Sequence, residues 1–179
     1  MKKIVSELFM TLDGVVTGPE KWHSPYHDQE MDRAIEAGMA AADTLLLGRR
    51  TYEEHAGYWP TATGSMADLM NGLPKVVLST TLTAPEWRDT SVITTLDEVA
   101  RLKEGPGEGP ILITGSPTLV RALLRNGLLD ELRLLIDPIV AGSGAGSGAR
   151  LFEDRPFAFE RVATEAFPSG GLSVTYAVA

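Results

Sequence analysis

The sequence predicts an α/β protein with a mixed, mainly parallel sheet, helices on both faces of the sheet and an antiparallel hairpin at its C-terminal end. Short apolar runs alternate with segments in which apolar residues recur at helical spacing. Strands separated in this way by helices pair in parallel. The last two strand-like runs flank only the turn Ser169-Gly170-Gly171, so they should form a hairpin that adds antiparallel strands.

The predicted strands are short apolar, β-prone runs that glycine, proline or helical segments separate. They cover residues 4–10, 44–47, 75–79, 91–94, 111–114, 131–136, 157–167 and 172–178. The first strand is followed by a long loop over residues 11–25, which is rich in glycine and proline.

The predicted helices cover residues 28–42, 51–57, 95–104 and 116–126, and residues 66–71 are compatible with one more. In the first helix, methionine and isoleucine recur at four-residue spacing. Thr95 and Glu98 form a capping box at the start of the third. Ser116 and Pro117 supply an N-cap and a first-turn proline for the fourth.

The composition is that of a globular protein, with 44% apolar and 22% charged residues. A length of 179 residues suits one domain over residues 1–179. The net charge of −8 argues against nucleic acid as the main partner, because a phosphate backbone needs a basic face. A small anionic ligand needs only a local basic pocket and stays possible.

The chain contains no cysteine, which excludes disulfides, thiolate metal sites and cysteine nucleophiles. Its first residues lead directly into a strand-like run and lack the long apolar stretch of a secretory leader. No apolar run approaches the ~20 residues that span a bilayer. We therefore expect a cytoplasmic protein with no membrane partner.

The stretch Gly48-Arg49-Arg50-Thr51 carries the most functional information, because it lies where a predicted buried strand gives way to a helix. Glycine at such a junction lets the backbone approach a ligand closely. The N-terminus of a helix offers free N–H groups and a positive dipole end to phosphate, and two arginines add fork-shaped donors. The alternative is an ordinary strand–helix turn with two solvated arginines.

Two further motifs follow predicted strands: Ser79-Thr80-Thr81 and Gly115-Ser116. In an open parallel sheet, ligands bind outside the carboxyl ends of the strands, so both motifs are candidates for the same site. The first is also compatible with simple turn chemistry. The second is also compatible with a helix cap.

Three features of the loops favour structural interpretations. The Ala-Gly-Ser-Gly tandem repeat over residues 141–148 is typical of a slack surface loop, with a phosphate-cradling loop as the alternative. His23 and His27 have the spacing of metal ligands on a helix, but Pro25 disrupts that helix and a third ligand is not evident. We therefore expect no metal. For Trp22, packing is favoured over capping a site.

A set of motifs spans nearly the whole chain in a fixed order: Met10-Thr11-Leu12-Asp13-Gly14, Leu47-Gly48-Arg49-Arg50-Thr51-Tyr52-Glu53, Val77-Leu78-Ser79-Thr80-Thr81-Leu82, Ile113-Thr114-Gly115-Ser116, Gly127-Leu128-Leu129-Asp130-Glu131-Leu132, Pro138-Ile139-Val140 and Leu151-Phe152. This ordered set resembles the dihydrofolate reductase fold, a three-layer sandwich. It is more similar still to the group related to the C-terminal reductase domain of the riboflavin-pathway deaminase–reductase.

The resemblance implies NADPH as the cofactor. The implied cofactor-binding residues lie on three strand ends: Gly48, Arg49, Arg50 and Thr51; Ser79, Thr80 and Thr81; Gly115, Ser116, Thr118 and Leu119. The first and third groups would contact the pyrophosphate, and the arginines together with the second group would contact the 2′-phosphate. Arginine contacts to that phosphate favour NADPH over NADH.

The resemblance also implies hydride transfer to a C=N or C=O carbon, for which a proton must reach the substrate heteroatom. In dihydrofolate reductases a carboxylate at the start of the first helix serves that end, and the matching position here is Asp32. Glu30 and Asp28 are alternatives, and a merely solvated helix start is another. Asp13, next to Gly14, is expected to line the substrate cavity or to form only an Asp-Gly turn.

The substrate half departs from the family pattern. Residues 72–75 lack the arginine that grips the folate tail, which argues against folate. Val15 and Val16 stand where the riboflavin-pathway reductases usually carry a lysine near the substrate phosphate. The predicted function is therefore NADPH-dependent reduction of a small pyrimidine- or pterin-like heterocycle, similar to 5-amino-6-(5-phosphoribosylamino)uracil reductase. A non-catalytic nucleotide-binding module and a structural homodimer are the alternatives, and the resemblance itself implies a homodimer.

Overall fold

The computed structural model describes residues 1–142, 148–152 and 155–179. Its strands are β1 (Ile4–Thr11), β2 (Thr44–Gly48), β3 (Lys75–Leu78), β4 (Thr90–Ile93), β5 (Ile111–Thr114), β6 (Glu131–Asp137), β7 (Phe159–Ala166) and β8 (Leu172–Val178). Its α-helices are α1 (Gln29–Ala40), α2 (Arg49–Ala56), α3 (Ser65–Gly72), α4 (Leu96–Leu102) and α5 (Pro117–Arg125).

All strands belong to one sheet in the order β4-β3-β2-β5-β1-β6-β8-β7. Neighbouring strands from β4 to β6 pair in parallel. Strand β8 runs antiparallel to both β6 and β7. The mixed, mainly parallel sheet with a closing hairpin is thus confirmed.

Helices cover both faces of the sheet because the strand side chains alternate between two cores. On β1, Ile4 and Leu8 belong to the core under α4 and α5, which contribute Val99 and Val120. Val5 points to the opposite core, which side chains of α1, α2 and α3 complete. The predicted three-layer arrangement is therefore confirmed.

Most element boundaries differ from the prediction by one or two residues, including those of α2 and β7. Helix α2 begins at Arg49 rather than at Thr51, because Gly48 ends β2 and directly becomes the N-cap of the helix. The two arginines therefore belong to the first helical turn and do not precede it. Strand β7 begins at Phe159 rather than at residue 157.

The long loop after β1 is more ordered than its composition suggests. It contains two short 3-10 turns, Pro19–Lys21 and Ser24–Tyr26. Between them the side chain of Trp22 is buried, and its Nε1 donates to the carbonyl of Thr17 over 3.3 Å. Trp22 is therefore packed within the loop, as predicted, and it also lines a cavity there.

Most of the tandem repeat, residues 143–147, lies outside the described residues. Within the part that is described, no helix combines the length and the apolarity that crossing a bilayer requires.

Candidate active site

The three sequence motifs meet at one edge of the sheet, because β3, β2 and β5 are consecutive neighbours and run in the same direction. The side chain of Ser116 links two of them. Its Oγ accepts a hydrogen bond from the N–H of Gly48 over 2.9 Å, and its own N–H donates to Thr51 Oγ1 over 3.1 Å. The ends of β2 and β5 and the first turns of α2 and α5 are therefore held in one fixed arrangement.

The turn between β5 and α5 has a backbone conformation that residues with a side chain rarely adopt. Gly115 and Ser116 both have positive φ angles, 68° and 53°. A Cβ on Gly115 would lie 3.2 Å from Thr51 Cγ2, a tight contact, so the close approach of α2 and the positive φ together favour glycine there. Helix α5 then starts with Pro117, and the first-turn N–H groups that follow it, from Thr118 on, have no intrahelical partner.

The arginines of α2 are both exposed at this edge. Arg49 Nη1 contacts Glu53 Oε1 over 3.0 Å, an exposed pair that contributes little and can be exchanged for a better anion. Arg50 has no ion-pair partner among the described residues. Two helix N-termini, close backbone and two arginines form a donor set that fits the pyrophosphate and phosphate groups of a dinucleotide.

The Ser79 hydroxyl already has a structural task. Its Oγ accepts from the N–H groups of Thr81 and Leu82 over 3.1 and 3.0 Å, which closes the turn after β3. Thr80 and Thr81 are exposed beside this turn. The alternative of turn chemistry therefore applies to Ser79, and two threonine side chains stay available to a ligand.

The carboxylate of Asp13 ties the loop after β1 to the segment after β6. It accepts hydrogen bonds from Thr11 Oγ1 over 2.7 Å and from the N–H groups of Ala141 and Gly142 over 2.9 Å, and it pairs with Arg150 over 3.0 Å. The hydrogen bond from Thr11, with those from Ala141 and Gly142, lowers the pKa of Asp13 to about 2. An ionised carboxylate that accepts from four donors holds a loop and does not readily take up a proton, and the catalytic role of Asp13 stays a prediction.

The candidate acids at the start of α1 differ in their surroundings. Asp28 is the N-cap, and its oxygens accept from the N–H groups of Glu30, Met31 and Ser169. Asp32 lies one turn further, with 42% of its side chain exposed and one oxygen 2.9 Å from His27 Nε2. Of these two carboxylates, Asp32 is the more accessible, and its catalytic role stays a prediction.

A buried histidine–aspartate pair was missed by reasoning from the sequence. His23 Nδ1 lies 2.8 Å from an oxygen of Asp137, and the Asp137 side chain is fully buried at the end of β6. The His23 ring packs on Phe9 with a centroid distance of 4.0 Å. The sequence did contain one signal: Asp137 is an acidic residue at the end of an apolar strand, and the other motifs also lie at strand ends.

Two cavities lie beside the loop that follows β1, and His23 lines the first of them. One of about 430 Å³ is lined by Phe9, Pro19, Glu20, His23, Ser24 and His27. The other, of about 510 Å³, lies between residues 17–22 and 139–141 and also contacts Gly148. Because β1 neighbours β5, these cavities continue the edge that carries the anion-binding motifs. Among the residues that the structure describes, no group of histidines and carboxylates is placed to hold a metal ion.

The architecture is that of the dihydrofolate reductase-like class of α/β proteins. Its features are a parallel sheet with the motifs at its strand ends, a long loop over the same edge and a C-terminal antiparallel pair of strands. Within that class, the chain belongs to the RibD C-terminal domain family, which matches residues 2–171. The recognition made from the ordered motifs is confirmed.

Individual relatives agree with this membership. The uncharacterized protein YyaP of Bacillus subtilis (strain 168) is 27% identical over 183 residues, covering 98% of this chain and 94% of YyaP. The crystal structure of a Shewanella sp. PV-4 protein, provisionally assigned to riboflavin biosynthesis, matches with a TM-score of 0.75 and 22% identity over 99% of both chains. A pyrimidine reductase-like protein of Corynebacterium diphtheriae matches with a TM-score of 0.71 and 14% identity, over 99% of this chain and 92% of its own. Because both structures are less than 25% identical to this chain, their likeness shows a shared fold.

Proposed function

We propose that the protein is an NADPH-dependent reductase that transfers a hydride to a small heterocycle. The observation that carries the proposal is the convergence of Gly48–Thr51 and Gly115–Leu119 at adjacent strand ends, joined through the Ser116 side chain. A dinucleotide has two phosphate-rich parts, and this edge offers two helix N-termini for the pyrophosphate. When bound, the cofactor would supply the hydride.

The proposed preference for NADPH over NADH rests on the residues at the carboxyl ends of β2 and β3. Arg50 is exposed without a described ion-pair partner, and Thr80 and Thr81 lie exposed at the neighbouring strand end. The 2′-phosphate carries nearly two negative charges, so a free guanidinium and hydroxyl donors there would bind NADPH more tightly. Within the proposal, Arg49 exchanges Glu53 for a phosphate oxygen.

The proposed substrate is a pyrimidine- or pterin-like ring that carries no phosphate and that binds in the cavity of about 430 Å³. The described residues that line this cavity include Glu20 and two histidines but no lysine or arginine. Val15 and Val16, which replace the expected lysine position, are buried in the core and would not reach a substrate phosphate. Within the proposal, half-exposed Asp32 takes part in the proton supply to the site, and Asp13 lines the substrate cavity.

A homodimer belongs to the proposal because the described part of the chain leaves both faces of the outermost strand exposed. Residues from Glu160 to Ala166 of β7 are all exposed, although successive side chains point to opposite sides of the sheet. An exposed edge strand is a ready site for pairing with another chain. A second copy packed on β7 and β8 would cover it.

The test is oxidation of NADPH, followed by its absorbance, with pyrimidine, pterin and flavin compounds offered in turn. The proposal expects NADPH oxidation with at least one compound and a slower rate with NADH. Binding of NADPH with no oxidation across the whole panel would favour the non-catalytic nucleotide-binding module instead. Absence of binding would leave the structural homodimer as the better account.

A further inference from the structure

His23, whose partner Asp137 is fully buried, lines the cavity that the proposed function assigns to the substrate, and the reduction needs a proton there. We propose that His23, oriented by Asp137, delivers this proton to the substrate heteroatom from its Nε2 atom. This inference rests on the proposed function. It names a donor other than the carboxylate expected at Asp32.

The burial of Asp137 supports a directed role for this carboxylate. It is the last residue of β6 and pairs in register with Thr11 of β1, so it lies at the carboxyl edge of the sheet. Its side chain is 0% exposed, and the only described group that binds it is His23. Its second oxygen is buried and has no hydrogen-bond partner within the described ranges. Such a group is costly to bury, and a packing role alone would be better served by an apolar residue.

The His23 ring is held in one orientation by its neighbours. Its face packs on Phe9, its backbone N–H donates to the Pro19 carbonyl over 2.8 Å, and its own carbonyl accepts from Tyr26 over 2.8 Å. With Nδ1 donating to Asp137, the second nitrogen, Nε2, becomes the reactive one. Nε2 has no hydrogen-bond partner in the described part of the chain, and it is not among the fully buried unpaired atoms there.

Several charged groups surround this ring. Asp137 contacts it directly, Glu20 lines the same cavity, and His27 lies edge-on with its ring centroid 6.1 Å away. The other side of His27 contacts the half-exposed Asp32. His27 and Asp32 are both exposed, and the His23 side chain is itself 13% exposed, so a spent His23 can be reprotonated from solvent.

Reduction of a C=N bond adds a hydride to carbon and a proton to nitrogen while NADPH becomes NADP⁺. In the proposal the Nε2–H bond of protonated His23 breaks and the new N–H bond of the substrate forms. The ring is left neutral, and its Nδ1 proton stays on the hydrogen bond to Asp137. Asp137 is a positioning residue because it acts only through the ring.

The first test uses nitrogen NMR of protein labelled with ¹⁵N-histidine, which reports the protonation of each ring nitrogen without turnover. The chain has three histidines, and His23→Gln assigns the signals of His23. The proposal expects the neutral ring of His23 to carry its proton on Nδ1, in the hydrogen bond to Asp137. Asp137→Asn should disturb this pattern and leave the signals of exposed His27 largely in place. A neutral ring protonated on Nε2 instead of Nδ1 would overturn the inference.

The second test measures turnover with 6-methyl-7,8-dihydropterin, a probe whose C=N bond needs a proton on nitrogen. His23→Gln is expected to lower kcat by roughly 100-fold or more and to flatten its pH profile, while the Kd of NADPH stays within about twofold. Equal kcat values for this variant and the wild type would refute the role. If the wild type does not reduce the probe, the ring measurement decides alone. If the wild type does not bind NADPH, the proposed function is refuted, while the result for the His23 ring still stands.

Discussion

At the scale of single residues, the site contains carboxylates whose surroundings give them different tasks. Asp13 is surrounded by donors and holds two loop segments together. Asp32 lies half-exposed and pairs with a histidine, and Asp137 is buried beneath another histidine. The residue type alone does not distinguish these tasks, because all three lie near the same sheet edge.

The Asp13 network predicts a stability that depends on pH. Hydrogen bonds, first of all from Thr11, lower the folded-state pKa of Asp13 to about 2, below its ordinary value of 3.8. The stabilisation is therefore complete above pH 3.8 and is lost as the pH falls towards 2. Asp13→Asn should lower the thermal midpoint at pH 7, and the difference from the wild type should shrink below pH 4. A constant difference over the whole pH range would show that ionisation plays no part.

At the scale of elements, the contact between the β5–α5 turn and helix α2 decides the shape of the proposed phosphate site. Gly115→Ala places a side chain at a φ of 68° and 3.2 Å from Thr51 Cγ2. We expect a loss of about 1–2 kcal/mol in the free energy of unfolding and weaker NADPH binding. Denaturant titration and a nucleotide titration measure the two effects.

Gly72→Ala is the matched control for that substitution. A Cβ on Gly72, in α3, would meet no atom within 4 Å, and its φ is not positive. It should leave nucleotide binding unchanged and slightly stabilise the helix. Equal behaviour of the two alanine variants would contradict the importance of the turn.

The packing of α2 against β5 predicts a second pH dependence. Burial lowers the pKa of His55 to about 4, and its Nε2 lies 3.2 Å from Thr114 Oγ1. The unfolded chain takes up this proton near pH 6.5 and the folded chain only near pH 4, so stability should fall on acidification between these values. The expected loss is on the order of 3 kcal/mol. His55→Phe should show a flatter stability curve from pH 6.5 to 4; an unchanged slope would assign the effect to other groups.

The periodic parts of the fold followed from the sequence because apolar spacing and caps are local signals. The capping box of Thr95 and Glu98 is present where it was predicted. The start of α2 was misplaced by two residues because Gly48 serves both the strand and the helix. The pair of His23 and Asp137 could not be predicted, since its members are 114 positions apart and only the sheet order brings them together.

At the scale of the whole molecule, the exposed strand β7 predicts self-association. Light scattering at micromolar concentration should give the mass of a dimer. Val162→Glu, at a 56% exposed position of β7, should shift the mass towards the monomer because it places charge in the contact. Tyr58→Glu, at a 61% exposed position after α2, is the control and should keep the dimer. A wild-type monomer would rule the dimer out.

The most direct test of the central claim is thermal unfolding in the presence of NADPH or NADH, for the wild type and for the variants Arg49→Ala and Arg50→Ala. NADPH at 100 times its Kd should raise the midpoint by roughly 5–10 °C, and NADH at the same concentration should raise it less. Each variant should weaken NADPH binding roughly tenfold or more, while Arg101→Ala on α4 should not change it. A wild-type midpoint that neither nucleotide moves would contradict the account.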